Sequence, residues 1–119
     1  MAYSAGLSRR LIHDTYFRLA DRRPKTFNDF VESLWRYLSP QHHDGMVEFS
    51  ISFRAVEMQR SVNDKEFDVL MHMVFQNVQA YSTYRSADKH NEWIDLYGAL
   101  SIDRRVYDSY ELPQQKGSE

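Results

Sequence analysis

The chain contains no cysteine, which excludes disulfides, thiolate metal sites and cysteine nucleophiles, and argues against a small secreted scaffold. Its four glycines, Gly6, Gly45, Gly98 and Gly117, are too few and too scattered for a phosphate-cradling loop. Neither Gly-x-Ser-x-Gly, nor Gly-x-x-x-x-Gly-Lys, nor Gly-x-Gly-x-x-Gly occurs. Long hydrophobic runs are also missing. Val69 to Phe75 is interrupted by His72 and falls far short of the ~20 apolar residues that a membrane-spanning helix needs. Near the N-terminus, Arg9 and Arg10 are followed by His13, Asp14 and Arg18 where a secretory signal would need its apolar stretch. No Asn-x-Ser/Thr acceptor is present. These absences lead to the expectation of an intracellular protein, cytoplasmic or nuclear, with no membrane association.

What is present suits one folded unit. At 119 residues, 42% hydrophobic and 14% aromatic, the chain can bury a core without disulfide or metal support. Residues 1–112 are expected to form a single compact domain, and 113–119, polar from Pro113 onward, a disordered tail.

Charge is unevenly spread. The first 25 residues hold Arg9, Arg10, Arg18, Arg22, Arg23 and Lys25 against Asp14 and Asp21, while the remainder holds nine basic residues against fifteen acidic ones. Such segregation can mark a docking surface for phosphate or for an acidic protein face. Asp14 stands four residues before Arg18, and Asp21 four before Lys25, so helical pairing would balance part of it. Two arginine pairs remain, Arg9 with Arg10 and Arg22 with Arg23, near the ends of one predicted helix.

Periodicity and punctuation predict an α+β fold that is mainly helical, with about four helices and a small sheet. A stripe of Leu7, Leu11, Ile12, Tyr16, Leu19 and Ala20, with Ser8 as a cap, predicts a helix over 8–21. Pro24 and Pro40 bracket a helix over 26–38, with Thr26 as cap and Phe27, Phe30, Val31, Leu34, Trp35 and Leu38 on one face. Asn63-Asp-Lys-Glu66 resembles a capping pattern and leads into Phe67, Leu70, Met71, Val74, Phe75, Val78 and Tyr81, predicting a helix over 64–82. Trp93, Ile94, Leu96, Tyr97 and Leu100 predict another over 88–99. Between them, 47–55 alternates strictly, with Val47, Phe49, Ile51, Phe53 and Ala55 on one face, and predicts a half-buried strand. That strand needs a partner. Residues 102–110, ambiguous between strand and helix, are favoured narrowly over the same strand of a second copy, which would make a homodimer.

No catalytic constellation stands out, so the balance leans against an enzyme, with no catalytic residue, cofactor or metal assigned. His42, His43 and Asp44 are the most metal-like group, but adjacent histidines point apart, and a polar turn accounts for them as well. His13, His72 and His90 are scattered, His72 reading first as a core or interface residue. Tyr107 and Tyr110, interleaved with Arg104, Arg105 and Asp108, resemble an interface patch rich in tyrosine and arginine. The favoured function is a small non-enzymatic protein-binding or regulatory protein: an adaptor, inhibitor or accessory factor, viral accessory proteins included. Its partner contacts would be Arg9, Arg10, Arg22, Arg23, Arg104, Arg105, Tyr107 and Tyr110, and it would itself be a possible homodimer. A nucleic-acid binder using the N-terminal arginines is the alternative, disfavoured by the net charge of −2 and the lack of a known recognition motif. A metal-dependent enzyme built on the histidines is the third.

Overall fold

A computed structural model describes residues 9–113 and shows four strands and three helices. In chain order they are β1 (Leu11–Leu19), α1 (Pro24–Leu38), β2 (Met46–Phe53), β3 (Val69–Phe75), α2 (Val78–Ser86), α3 (Asp88–Tyr97) and β4 (Ser101–Tyr110). The strands form one antiparallel sheet in the order β2-β3-β1-β4. The helices cover one face, and no helix among the described residues is long and apolar enough to cross a membrane.

Residues 8–21 are therefore not a helix. Leu11, His13, Thr15, Phe17 and Leu19 are all buried, while Ile12, Asp14, Tyr16 and Arg18 face the other way, so the governing period is two. The helical stripe arises because the outward positions Ile12 and Tyr16 are themselves apolar. The central position of β1, paired with β3 on one side and β4 on the other, satisfies its backbone across the sheet.

The helix over 64–82 is likewise replaced, by a turn, a strand and a short helix. Asp64 does act as a local cap: its Oδ1 accepts the amides of Glu66 and Phe67 at 2.8 and 2.9 Å. Those bonds hold its carboxyl below the usual carboxylate range. The chain then enters β3 rather than a helix, with Val69, Met71, Met73 and Phe75 buried against the helices. Asn77 caps α2, its Oδ1 accepting from the Ala80 amide at 2.8 Å. Strand 47–55 exists as β2, and within the chain its partner is β3 rather than 102–110. Residues 102–110 are a strand, β4, paired with β1. The fold is α+β as expected but not mainly helical. The position of Leu7 and Ser8 and nearly all of the predicted tail lie outside the described residues.

α1 begins two residues before the predicted start, with Pro24 in its first turn. Thr26 is buried rather than capping, and it is Asp21 that accepts the Arg23 amide, at 2.9 Å. Phe30, Leu34 and Leu38 press onto the sheet. At the core centre, Phe17, Phe30 and Trp93 meet edge to face at centroid separations of 4.9 to 5.9 Å. The Trp93 indole donates to Ser33 Oγ at 2.9 Å, which in turn donates to the Phe30 carbonyl at 2.6 Å, so the buried polar atoms are satisfied.

Gly45 enters β2 at φ +84°, and a Cβ there would lie 2.6 Å from the Ala80 Cβ of α2. Both the left-handed backbone and the close approach demand glycine. Gly45→Ala is expected to cost at least ~2 kcal/mol, read as a lower urea midpoint at unchanged slope.

Candidate active site between sheet and helices

The covered face of the sheet is apolar except near one point. His13 and Asp108 are directly opposite in the β1–β4 register, so their side chains leave the same face side by side. His13 is 6% exposed, and its Nδ1 lies 2.5 Å from Asp108 Oδ1. Because an ionised carboxylate can only accept, the pairing assigns a proton to Nδ1, so that in the neutral imidazole the lone pair is on Nε2. Thr15, two residues along the same face, places its Oγ1 3.3 Å from Nε2 and can donate to it.

Aromatic rings close the surroundings. Tyr81 lies 4.9 Å from the His13 ring, and Tyr84 touches His43 and His90, each at 4.8 Å. Burial pushes the Tyr84 phenol well above its ordinary pKa, so it stays protonated and able to donate. Arg85 donates to the Tyr81 hydroxyl at 3.1 Å, which raises its own pKa further.

A cavity of about 260 Å³ opens at this place, floored by Phe17 and Trp93. His13, Thr15, Tyr84, His90, Arg85 and Arg104 give it its polar wall. His90 Nδ1 is buried and makes no hydrogen bond among the described residues. The arrangement offers an oriented imidazole base, a hydroxyl beside it, a phenol donor and two guanidinium groups around a small apolar chamber.

Burial lowers the pKa of both His43 and His90. His43 donates from Nε2 to the Tyr37 carbonyl at 2.9 Å and is opposed by the neighbouring His42, while His90 is opposed by the charges of Arg85, His43 and His13. With the folded value below the ordinary 6.5, the unfolded chain binds more protons in that window. Stability is thus fully present above pH 6.5 and declines as pH falls toward the folded values. Urea midpoints measured from pH 7.5 down to 5 should fall, and His43→Gln, which keeps a donor for Tyr37, should flatten the decline.

The eight residues expected as partner contacts are dispersed. Arg9 donates to the Glu111 carbonyl, and Arg10 bridges Glu48 and Glu111. Arg22 pairs with Asp68 at 2.9 Å and Arg23 with Asp21 at 3.1 Å, at the other end of β1, a strand and not the predicted helix. Arg104 borders the cavity and Tyr110 shares its face of β4, whereas Arg105 and Tyr107 lie on the opposite face. His42 and Asp44 are exposed while His43 turns inward, and no group of three or more potential metal ligands occurs among the described residues.

His13 is the residue that inspection of the sequence passes over. Its signal is the alternation Leu11, His13, Thr15, Phe17, which places two polar side chains on a buried strand face. Asp108, paired with it from 95 residues away, carries no local signal.

No protein-family model and no curated protein matches the chain. Solved structures do resemble it. A DABB family protein with a ferredoxin-like fold from Mesorhizobium loti is 16% identical, with a TM-score of 0.72 over 88% of this chain and 99% of that one. A hydroxynitrile lyase from Passiflora edulis is 12% identical, with a TM-score of 0.71 over 91% and 98%. A dimeric ferredoxin-like protein of unknown function from Thermobifida fusca is 12% identical, with a TM-score of 0.69 over 90% and 93%. At these identities the likeness is one of architecture: the chain has a ferredoxin-like α+β fold with a four-stranded antiparallel sheet and three helices, which replaces the mainly helical arrangement expected from periodicity.

Proposed function

We propose that this chain catalyses a proton transfer on a small organic molecule held in the cavity between sheet and helices. The observation that carries the reading is the buried His13, fixed by Asp108 through Nδ1 with Nε2 toward Thr15. His13 acts as general base and Asp108 as the group that fixes its tautomer. Tyr84 supplies a phenol to an oxygen on which charge develops, and Arg85 and Arg104 attract an anionic substituent. At about 260 Å³ the cavity is just below the usual range for ligand pockets, which restricts the substrate to a small molecule. The lyase from Passiflora edulis adds fold-level analogy, since this architecture can carry an enzyme.

The test needs no known substrate. A panel of small carbonyl compounds incubated with the protein in D2O and followed by proton NMR should show α-hydrogen exchange above buffer for at least one member. Asp108→Asn should slow that exchange. Exchange at the buffer rate throughout the panel would remove the reading.

A second reading, compatible with the first, is a homodimer formed through the uncovered sheet face. That face presents Ile12, Tyr16, Leu70 and Tyr107, with Tyr107 66% exposed. An antiparallel sheet that leaves one face in water usually makes it polar. Structures of this fold from Thermobifida fusca and Bacteroides fragilis are described as dimeric. Arg105 and Tyr107 would then contact a second copy rather than an unrelated protein. Light scattering should give twice the chain mass, and Tyr107→Glu should return it to the monomer value.

A further inference from the structure

His90 lines the His13 cavity, yet the proton transfer as described gives it no task. Three histidines gather around Tyr84, His13 at a ring separation of 6.3 Å and His43 and His90 at 4.8 Å each. Two are tied down by the protein, His13 Nδ1 by Asp108 and His43 Nε2 by the Tyr37 carbonyl. His90 Nδ1 is buried and has no hydrogen-bond partner among the described residues. A buried polar atom left unpaired costs free energy, which a ligand engaging the ring would offset.

Burial and the charges of Arg85, His43 and His13 hold the His90 pKa below the ordinary 6.5, with Asn91 working the other way. At pH 7 the ring is therefore neutral and has one N–H to donate. Beside it the Tyr84 phenol keeps its proton. Two neutral donors on adjacent rings suit one carbonyl oxygen on which negative charge grows.

Charge narrows the substrate further. Arg85 and Arg104 line the same cavity, and the Arg85 charge acts on both Tyr84 and His90. Arg85 donates to the uncharged Tyr81 hydroxyl, and Arg104 makes no ion pair among the described residues. Asp108, the carboxylate that acts on Arg85, is already bonded to His13, and one negative charge does not balance two guanidinium groups. An anionic group and a carbonyl oxygen are thus called for close together, above a floor of Phe17, Leu38, Met71 and Trp93.

We propose that the cavity takes a short-chain 2-oxo carboxylate, its carboxylate on Arg85 and Arg104 and its keto oxygen between His90 and Tyr84. The assignment rests on His13 as the base and names the substrate class and a further catalytic residue, His90. A proton leaves C3 for His13 Nε2, and the electron pair of that C–H bond forms the C2–C3 double bond. The carbonyl pair moves onto the oxygen that His90 and Tyr84 hold. A proton, or a deuteron in D2O, then returns to C3, and no co-reactant is consumed.

Isothermal titration compares 4-methyl-2-oxopentanoate with its neutral amide, and proton NMR in D2O follows exchange at C3 of each. The acid should bind, the amide at least tenfold more weakly, and the acid should exchange above the buffer rate. Arg104→Gln should weaken the acid by about tenfold, the loss of one charge-assisted contact, and leave the amide unchanged. His90→Phe should slow exchange at least tenfold, and His90→Gln, which keeps an N–H donor, should recover most of it. Circular dichroism establishes that each variant is folded. No binding of the acid, equal affinity for the amide, an Arg104→Gln that binds as the parent does, or a His90→Phe that exchanges at the parent rate would each overturn the assignment. Acid that binds without exchanging would remove His13 as base and keep the carboxylate site, whereas exchange confined to neutral ketones would keep the base and remove the site.

Discussion

His13→Ala is expected to abolish all but about one part in 10²–10⁴ of the exchange rate seen with the parent protein, the usual contribution of a positioned general base. The reason is geometric. Nε2 is the only atom of the His13 ring left for a substrate proton once Nδ1 is committed to Asp108. Thr15 and Tyr84 can hold a substrate but neither can accept a proton comparably, the phenol being kept protonated by burial. Asp108→Asn should cost less than His13→Ala, because an amide can still lie against Nδ1 while giving up control of the tautomer. The two variants therefore rank in a fixed order. Equal losses, with both proteins folded by circular dichroism, would mean that the pair serves structure alone.

Phe30→Ala is expected to lower unfolding free energy by about 3–5 kcal/mol, the range for deleting a fully buried aromatic ring. Phe30 has no exposed surface and touches both Phe17 and Trp93. Those contacts bind α1, β1 and α3 to one another, so the space left behind cannot collapse without moving an element. A domain of this size has ~5–15 kcal/mol in total, and the variant should unfold at a markedly lower urea concentration. Trp35→Ala provides the contrast. Trp35 is on the same helix but 48% exposed, leaning on Phe49 at 4.8 Å, and its loss should cost far less.

How far the sequence reveals this architecture depends on how strongly each segment separates its two faces. α1 is legible because its polar residues fill the outer side almost completely and prolines mark both ends. β2 and α3 are legible for similar reasons. β1 and β3 are not, because both are central strands whose outward positions, Ile12, Tyr16, Leu70 and Val74, are apolar as well. When both faces are apolar the alternation weakens, and subsets at three- and four-residue spacing imitate a helix. The capping pattern at Asn63–Glu66 misleads in another way. Asp64 satisfies the next amides in a turn as readily as at a helix start. The candidate site is hidden for a third reason. His13 and Asp108 meet only once β4 has paired with β1, and neither residue is unusual among its chain neighbours.

Two histidine–aspartate pairs flank β1 at successive positions: His13 with Asp108 of β4 on the covered face, and Asp14 with His72 of β3, at 2.6 Å, on the uncovered one. Burial of one face forbids a one-residue slip between strands but tolerates a slip of two, since every side chain then keeps its side. These pairs penalise the larger slip too. Moved by two, Asp108 would stand opposite Leu11 or Thr15, and Asp14 opposite Leu70 or Val74, each carboxylate parted from its imidazole. The pair that would perform the chemistry thus also selects, together with Asp14 and His72 on the other side of β1, the one alignment in which the chemistry is possible.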